Sequence, residues 1–306
     1  MMEAVQNGVR KILFIINKYA GTGYQPELEG RIIEACERND VECTIEFTQH
    51  PGHATELARG AAALGFQQVV AVGGDGTMNE VAQGLLNGTI PMGIIPRGSG
   101  NGLARHLGIP IKTRLAINSL FESTPLAMDT FTVNGKLSLN VSGLGFDGHI
   151  ANLFSGETKR GLAGYTKLTF KEFFSFNEFD MEVHINGKVL NRKAFIVAIA
   201  NSSQYGNNAR IAPAASVCDG LLHFNILKKV PPYRVDFIYA FFSGTVERSA
   251  FCEILEAREL TITTPKPVAY HVDGEPSGHN NAFTIALHPG TLPVLVPNSA
   301  RSQKKL

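Results

Sequence analysis

Three glycine-bracketed loops hold the residues best suited to bind phosphate. The sharpest is Val72-Gly73-Gly74-Asp75-Gly76-Thr77-Met78-Asn79-Glu80. Its glycines expose backbone amides on both sides of Asp75, and Thr77 with Glu80 three residues later predicts a capping box that opens a helix here. A helix N-terminus attracts anions. A carboxylate at the centre of such a loop repels a bare phosphate, so Asp75 makes chemical sense beside a metal, a donated proton or a sugar hydroxyl. An ordinary turn does not need three glycines around one acid.

The other two loops are Asn17-Lys18-Tyr19-Ala20-Gly21-Thr22-Gly23 and Pro96-Arg97-Gly98-Ser99-Gly100-Asn101-Gly102, the latter followed by Arg105. Each follows an apolar run and precedes a helical pattern, so their amides also face a strand end. Together the three loops describe a nucleotide site. The chain has no GxxxxGK[ST] loop, no HRD or DFG set, and no GxGxxG opening its first helix.

The elements that must position these loops alternate in type. Strands are predicted at Arg10–Ile16, Val41–Thr48, Gln68–Val72 and Met92–Ile95. Helices are predicted at Glu27–Arg38, with apolar Leu28, Ile32 and Ile33, and at Thr55–Leu64 and Thr77–Leu86. Such alternation means a parallel sheet with crossover helices, in which ligands collect at the carboxyl ends of the strands. From about Pro125 the pattern changes. Asn134-Gly135 and Asn186-Gly187 predict hairpins. Strands follow at Ala194–Ala200, Leu221–Leu227, Glu259–Thr264, Ala269–Asp273 and Phe283–Leu287, interrupted by helices near Leu162–Phe174 and Arg234–Phe242. The expected fold is an α/β domain over 1–124, with 290–306 returning to it, and a mainly antiparallel β-sandwich domain over 125–289. The basic tail 301–306 is expected to fray.

A length of 306 residues fits two domains. The 28 basic and 27 acidic residues leave a net charge of +1, which excludes a polyelectrolyte binder of nucleic acid. The apolar run Ile12–Ile16 is far short of the roughly 18 residues a membrane span needs, and no signal-peptide pattern follows it. Cys36, Cys43, Cys218 and Cys252 have no CxxC spacing and read as reduced, mostly buried thiols. A cytoplasmic address is expected. The nine histidines form no HExxH motif or ligand triad, so no zinc site is expected.

These motifs closely resemble the catalytic domain of diacylglycerol kinases and the related sphingosine and ceramide kinases, including bacterial soluble lipid kinases. The resemblance covers nearly the whole chain. Gly73–Thr77 matches GGDGT, a loop shared with NAD kinases, and Asn79-Glu80-Val81 continues as in the lipid branch. Asn17 and Gly21 match N-P-x-S-G with Lys18 in place of the proline, and Pro96–Asn101 matches P-x-G-[ST]-x-N. Gly102 stands where many diacylglycerol kinases have aspartate, and Gly98–Ala104 looks more like sphingosine kinases. Gly143-Leu144-Gly145-Phe146-Asp147 matches a strand-to-helix turn of the family. Asn201, Tyr205-Gly206, Ala212-Pro213 and Asp219-Gly220-Leu221 match a second signature, and Val272-Asp273-Gly274-Glu275 the DGE motif.

The resemblance implies transfer of the γ-phosphoryl of ATP, with Mg²⁺, to a lipid hydroxyl, diacylglycerol first and a sphingoid base or another lipid second. An NAD kinase-type activity and a non-catalytic sensor are the remaining readings. Nucleotide contacts fall on Asn17, Gly21, Thr48, Gly73, Gly74, Asp75, Gly76, Thr77, Met78, Asn79 and Ser99. Glu275 is implied as proton acceptor with Asp273 supporting it, although the sequence leaves open which carboxylate acts, and Asp75 orients Mg·ATP or the acceptor. Ser216, Asp219 and the Leu221 carbonyl correspond to a magnesium site in bacterial members. The family often pairs as homodimers. A lipid acceptor also implies transient contact with a membrane surface. The aromatic stretch Tyr165, Phe170, Phe173, Phe174 and Phe176, bounded by Lys159-Arg160 and Lys171, reads either as a core face or as an interfacial helix.

Overall fold

The computed structural model describes residues 10–155, except 22 and 24, and residues 162–301. The expected frayed tail beyond 301 and the basic pair Lys159-Arg160 lie outside the described residues. The chain divides into two units. One runs to Gly98, includes Gly108–Leu126 and resumes at Leu292; the other takes Ser99–Leu107 and Ala127–Thr291.

The first unit begins β1 (Arg10–Ile16), α1 (Glu27–Glu37), β2 (Val41–Phe47), α2 (His53–Gly60), β3 (Gln68–Gly73), α3 (Asp75–Leu85) and β4 (Met92–Pro96). β1 pairs in parallel with both β2 and β3, and β3 with β4. The order is thus 2-1-3-4, in which the connections leave β1 and β3 in opposite directions and open a crevice at their carboxyl ends. Every residue of β3 is buried, as expected of a central parallel strand covered on both faces, whereas β2 at the edge is half-exposed. Ile12, Phe14 and Ile15 of β1 are fully buried, worth about 1.5–3 kcal/mol each. In α1 the buried residues Leu28, Ile32, Ala35 and Cys36 follow the 3.6-residue period. Ile33, expected among them, lies one position round the helix and is 42% exposed.

The capping box expected at Thr77 is not formed. The helix begins two residues earlier, with Gly74 as its N-cap, and Thr77 is already inside its first turn. Glu80 instead serves the neighbouring helix: its Oε2 accepts the Ala54 amide at 3.3 Å, and its carbonyl accepts the Thr55 hydroxyl at 2.8 Å. Gly52, the N-cap of α2, has no side chain, so a carboxylate from α3 takes the capping role. That is also why α2 starts at His53, two residues before the expected Thr55.

The segment Ser99–Leu107, with α4 (Gly102–His106), groups with the second unit, although the division by sequence places it in the first. Hydrogen bonds explain the difference. Asn101 pairs with Gly206, Asn207 donates its amide to the Gly100 carbonyl, and His106 Nδ1 meets the Ser203 hydroxyl at 2.9 Å. The chain returns to the first unit as α5 (Thr113–Phe121).

The second unit contains β5 (Ser123–Val133), whose first residues belong to the first unit, β6 (Lys136–Ser138), β7 (Val141–Gly145), α6 (Phe146–Ser155), α7 (Leu162–Ser175), β8 (Phe179–Ile185), β9 (Lys188–Ala194), β10 (Ile196–Ala200), β11 (Leu222–Leu227), α8 (Val235–Ser243), β12 (Cys252–Ala257), β13 (Glu259–Val272) and most of β14 (Glu275–Pro297). Its pairing is antiparallel in the order β12-β11-β10-β7-β13-β14, with β8–β9 added on β13. Successive residues of β10 enter different cores. Val197 and Ile199 join Phe131, Phe224 and Phe283, while Ala198 and Ala200 join Ile211, Leu227 and Val246. The two Asn-Gly pairs form two-residue hairpins, closed by Val133 opposite Lys136 and Ile185 opposite Lys188. Both residues of each turn have positive φ.

Two strands expected separately, Glu259–Thr264 and Ala269–Asp273, form the single bulged strand β13. Its connection to β14 is the tight turn Asp273-Gly274, with Val272 opposite Glu275, and not a long loop. The last part of β14 belongs to the first unit, where Val294 pairs in parallel with Met92, and α9 (Asn298–Arg301) follows.

The aromatic stretch is split. Phe173 and Phe176 pack with Phe146 and Phe195, whereas Phe170 and Phe174 are 70% and 53% exposed. The helix is tied down by His149, whose hydrogen bond holds the Glu172 carboxyl below its usual range. Among the described residues no helix is long and apolar enough to cross a membrane. The cysteines are thiols, but only Cys36 is fully buried and Cys218 is exposed. Burial pushes the Cys36 and Cys252 thiols up to about 12. At pH 8 alkylation of the native protein should therefore label Cys218 first and leave Cys36 and Cys252 unmodified until denaturant is added; peptide mapping of the labelled thiols checks this.

Candidate functional site

In the first unit the three glycine loops meet at the crevice between β1 and β3. The Asn17 amide donates to the Val72 carbonyl at 3.0 Å, and Asn17 Nδ2 donates to Thr77 Oγ1 at 3.1 Å. Its Oδ1 accepts the Tyr19 amide at 2.9 Å, so one side chain fixes both its own loop and the start of α3. Arg97 joins the third loop to the other two. Its amide donates to the Gly73 carbonyl at 2.7 Å, and its guanidinium donates to the Gly23 carbonyl at 2.7 Å.

The glycines are required by space. A Cβ on Gly21, where φ is +65°, would lie 1.8 Å from the Arg97 carbonyl oxygen, and one on Gly73 would lie 2.4 Å from Thr77 Oγ1. Gly74 approaches Gly98 less closely but still tightly, with 3.3 Å between its would-be Cβ and the Gly98 Cα.

Asp75 is the first residue of α3 and is half-buried, in the turn where a carboxylate complements the helix dipole. The first helical bond is Met78 N–H to the Gly74 carbonyl, so the Gly76 and Thr77 amides precede the intrahelical ladder. Of the other expected nucleotide residues, Thr48 follows β2 with its amide on the Ile16 carbonyl, and Asn79 accepts from Gln83 Nε2 at 2.8 Å. Met78 is 1% exposed and packs into the core, so its side chain contributes to the fold of the loop and not to its lining. Ser99 is exposed and groups with the second unit. Lys18, at the position of the family's proline, lies 3.7 Å over the Phe47 ring. In the sequence Arg97 reads only as part of the third loop; its role in tying that loop to the other two is shown by its contacts.

The second unit places its carboxylates on turns. Asp273, in the left-handed region at φ 49°, accepts three hydrogen bonds: from the Ser138 hydroxyl at 2.6 Å, the Leu139 amide at 2.8 Å and the Asn140 amide at 3.0 Å. It therefore braces the hairpin against residues 138–140. Glu275, two residues on, opens β14 and is exposed. The buried Asp129 acts like Asp273, accepting the Gly220 and Gly290 amides at 2.8 Å each.

The loop of Ser216, Asp219 and Leu221 is held by Asp129, whose amide donates to the Val217 carbonyl at 2.7 Å and whose Oδ2 accepts the Gly220 amide at 2.8 Å. Asp219 is exposed, and its Oδ1 accepts the Leu221 amide at 3.0 Å; the Ser216 hydroxyl receives the Cys218 amide at 3.4 Å. These oxygen donors suit a hard cation with water completing its shell. Among the described residues no group of three or more His, Cys, Asp or Glu could hold a metal.

A kinase of two units, a nucleotide-binding parallel α/β sheet and an antiparallel β unit with acidic turns, is the class this arrangement defines. Comparison with known proteins gives the family. Residues 11–133 match the diacylglycerol kinase catalytic domain, and residues 141–296 match the YegS C-terminal NAD kinase beta sandwich-like domain. A probable YegS-like lipid kinase of Chromohalobacter salexigens is 30% identical over 90% of this chain and 89% of its own length. Another from Pseudomonas aeruginosa is 32% identical over 84% and 85%. A diacylglycerol kinase of Bacillus subtilis is 28% identical over 72% and 75%. The fold matches a crystal structure of a diacylglycerol kinase from Bacillus anthracis with a TM-score of 0.73, covering 95% of this chain and 98% of that one at 22% identity. The chain belongs to the diacylglycerol kinase and YegS-like family of ATP-dependent lipid kinases.

Gly102, which the sequence sets against the aspartate of many diacylglycerol kinases, cannot carry a side chain in this surrounding. Its Cβ would lie 2.5 Å from both Asn140 Nδ2 and the Tyr205 carbonyl. Gly102→Asp is expected to destabilise the protein by at least ~1–3 kcal/mol through overpacking, before any charge effect. Asp273→Ala, which strands three donors, is expected to cost about 3 kcal/mol. Urea denaturation of the two variants against wild type measures both.

Proposed function

We propose that the protein transfers the γ-phosphoryl of Mg·ATP to the hydroxyl of a glycerolipid, with diacylglycerol as first acceptor and phosphatidic acid as product. The observation that carries this reading is the meeting of three glycine loops at the β1/β3 crevice, with Asp75 at the mouth of α3. In phosphoryl transfer positioning and electrostatics do most of the work, and backbone amides around Asp75 suit a polyphosphate. Asn17, Gly21, Thr48, Gly73–Asn79 and Ser99 are the proposed nucleotide set, with Asn17 and Arg97 holding the loops in place. Asp75 orients the nucleotide or the acceptor. Glu275 accepts the proton of the lipid hydroxyl, and Asp273 fixes the turn that carries it.

Mg²⁺ held with the nucleotide beside Asp75 would supply positive charge that offsets the charge developing on the transferred phosphoryl group. Ser216, Asp219 and the Leu221 carbonyl are proposed as a second, separate Mg²⁺ position. The acceptor is met at a lipid surface, for which the exposed Phe170 and Phe174 of α7, with Tyr239 and Phe242 of α8, are the proposed contacts. A sphingoid base is the second reading, favoured by the tight seat of Gly102 that leaves no room for the aspartate of many diacylglycerol kinases.

Transfer of labelled γ-phosphate from Mg·ATP in mixed micelles tests this. Diacylglycerol, phosphatidylglycerol, sphingosine and ceramide are offered beside NAD, with Asp75→Ala and Glu275→Gln as controls. The expected result is labelled diacylglycerol, reduced by at least about 10²-fold in either variant while the thermal midpoint is retained. Label in sphingosine alone moves the acceptor to the second reading. Label in NAD alone, or normal turnover by Asp75→Ala, overturns the proposal.

A further inference from the structure

A buried Asp–His–Tyr cluster lies directly behind the turn that carries Glu275. His271 is 4% exposed, and its Nε2 lies 3.3 Å from Asp147 Oδ2. The Gly274 amide donates to His271 Nδ1 at 3.1 Å. That bond makes Nδ1 the acceptor and leaves the ring proton on Nε2, directed at Asp147. Asp147 Oδ2 also receives the Tyr205 hydroxyl at 2.8 Å, and its Oδ1 receives the Gly148 amide at 2.7 Å. The chain of bonds therefore runs from Tyr205 through Asp147 and His271 to the backbone of the turn.

The fold keeps this cluster together. His271 stands opposite Gly143 in the β13–β7 pairing, and a Cβ on Gly143 would lie 1.9 Å from Asp147 Oδ2 and 2.9 Å from His271 Nε2. Gly143 is thus the space in which the carboxylate and the imidazole meet. On the same helix as Asp147, Asn152 Nδ2 donates to the Tyr270 carbonyl at 3.1 Å, and its Oδ1 accepts the Gly278 amide at 3.1 Å. Helix α6 therefore grips the hairpin on both sides of Glu275: at Gly274 through His271, and at Gly278 through Asn152. At the far end of the cluster, Tyr205 precedes Gly206, which pairs with Asn101 of the third glycine loop.

We propose that His271, oriented by Asp147, is a positioning residue for phosphoryl transfer: its Nδ1 lone pair fixes the Asp273-Gly274 turn and so the backbone on which Glu275 stands. This rests on the reading of Glu275 as the base. A hydroxyl must lie within hydrogen-bond reach of the base, and a displacement of about 1 Å can cost on the order of 10²-fold in rate. A two-residue turn with an exposed carboxylate beyond it has little packing of its own; Asp273 braces its first residue, and the imidazole supplies the fixed contact at Gly274, next to Glu275.

Two substitutions separate the two ends of the ring. His271→Asn offers an oxygen close to the place of Nδ1, keeping an acceptor for Gly274 while giving up Asp147. His271→Gln reaches toward the place of Nε2 and gives up the turn. Turnover is measured with Mg·ATP and the lipid found active in the panel, for both variants, for Glu275→Gln, and for the double variant His271→Gln/Glu275→Gln. Hydrogen exchange at the Gly274 amide and the thermal midpoint are followed alongside.

The expected result is a kcat lowered about 10–100-fold in His271→Gln, with the KM for ATP within about twofold of wild type and faster Gly274 exchange. His271→Asn recovers most of the rate and the protection. In the Glu275→Gln background His271→Gln costs little more, because the group being positioned is already gone. Normal kcat in His271→Gln with an inactive Glu275→Gln overturns the positioning role and leaves the base assignment standing. Equal losses in the Asn and Gln variants, or an undiminished loss in the double variant, overturn it as well and mark the cluster as structural. Wild-type turnover by Glu275→Gln overturns the base reading, and the positioning role with it.

Discussion

The parallel α/β half of this protein depends on one constraint: three strand-end loops must approach each other with no side chains between their backbones. The 2-1-3-4 strand order opens the crevice between β1 and β3, and the loops after β1, β3 and β4 converge there. The approach of Gly21 to the Arg97 carbonyl excludes even a methyl group, and that of Gly74 to Gly98 leaves little room for one. Once the backbones are that close, Asn17 and Arg97 can lock three loops with a handful of hydrogen bonds, and the start of α3 faces the crevice with Asp75 in its first turn. The glycines are thus conditions for assembling the site before they are conditions for binding phosphate.

The β unit solves a different problem with carboxylates. Asp129 and Asp273 each take hydrogen bonds from groups distant in sequence and hold turns that have little packing of their own. A charge-assisted bond to a backbone amide is stronger than a neutral one and directional, which suits a residue meant to fix a loop. The same logic explains how Glu275 can be exposed and yet stand on a fixed backbone. The chain on either side of it is anchored: before it, Asp273 to residues 138–140 and Gly274 to His271; after it, Gly278 to Asn152.

Much of this was legible in the chain. The alternation of strands and helices, the Asn-Gly hairpins and the glycine loops carry their own local physics, so their elements form close to where periodicity and turn chemistry put them. The departures share a cause. The capping box at Thr77 fails because Thr77 Oγ1 is taken by Asn17 and Glu80 is taken by the neighbouring helix α2. The segment Ser99–Leu107 leaves the unit its position in the sequence suggests because its partners, Ser203, Gly206 and Asn207, are about a hundred residues away. The aromatic helix is neither all core nor all surface, since its period sends Phe173 inward and Phe170 outward. In the sequence Arg97 and Asp147 read only as members of motifs and His271 not at all, because what each does depends on a partner distant in sequence.

What the sequence determined by itself was the class of fold, the three glycine loops at the strand ends, and the acidic turn of the second half, because these rest on contacts within a few residues. Tertiary structure alone decided which side chains serve which neighbour: Glu80 as the cap of another helix, Asp273 as a brace, and Gly102 and Gly143 as spaces that other groups fill. A carboxylate or a glycine reads the same in a sequence whatever it meets. Only the approach of chain segments tens to hundreds of residues apart gives it a donor to accept from, or a gap that a single carbon would close.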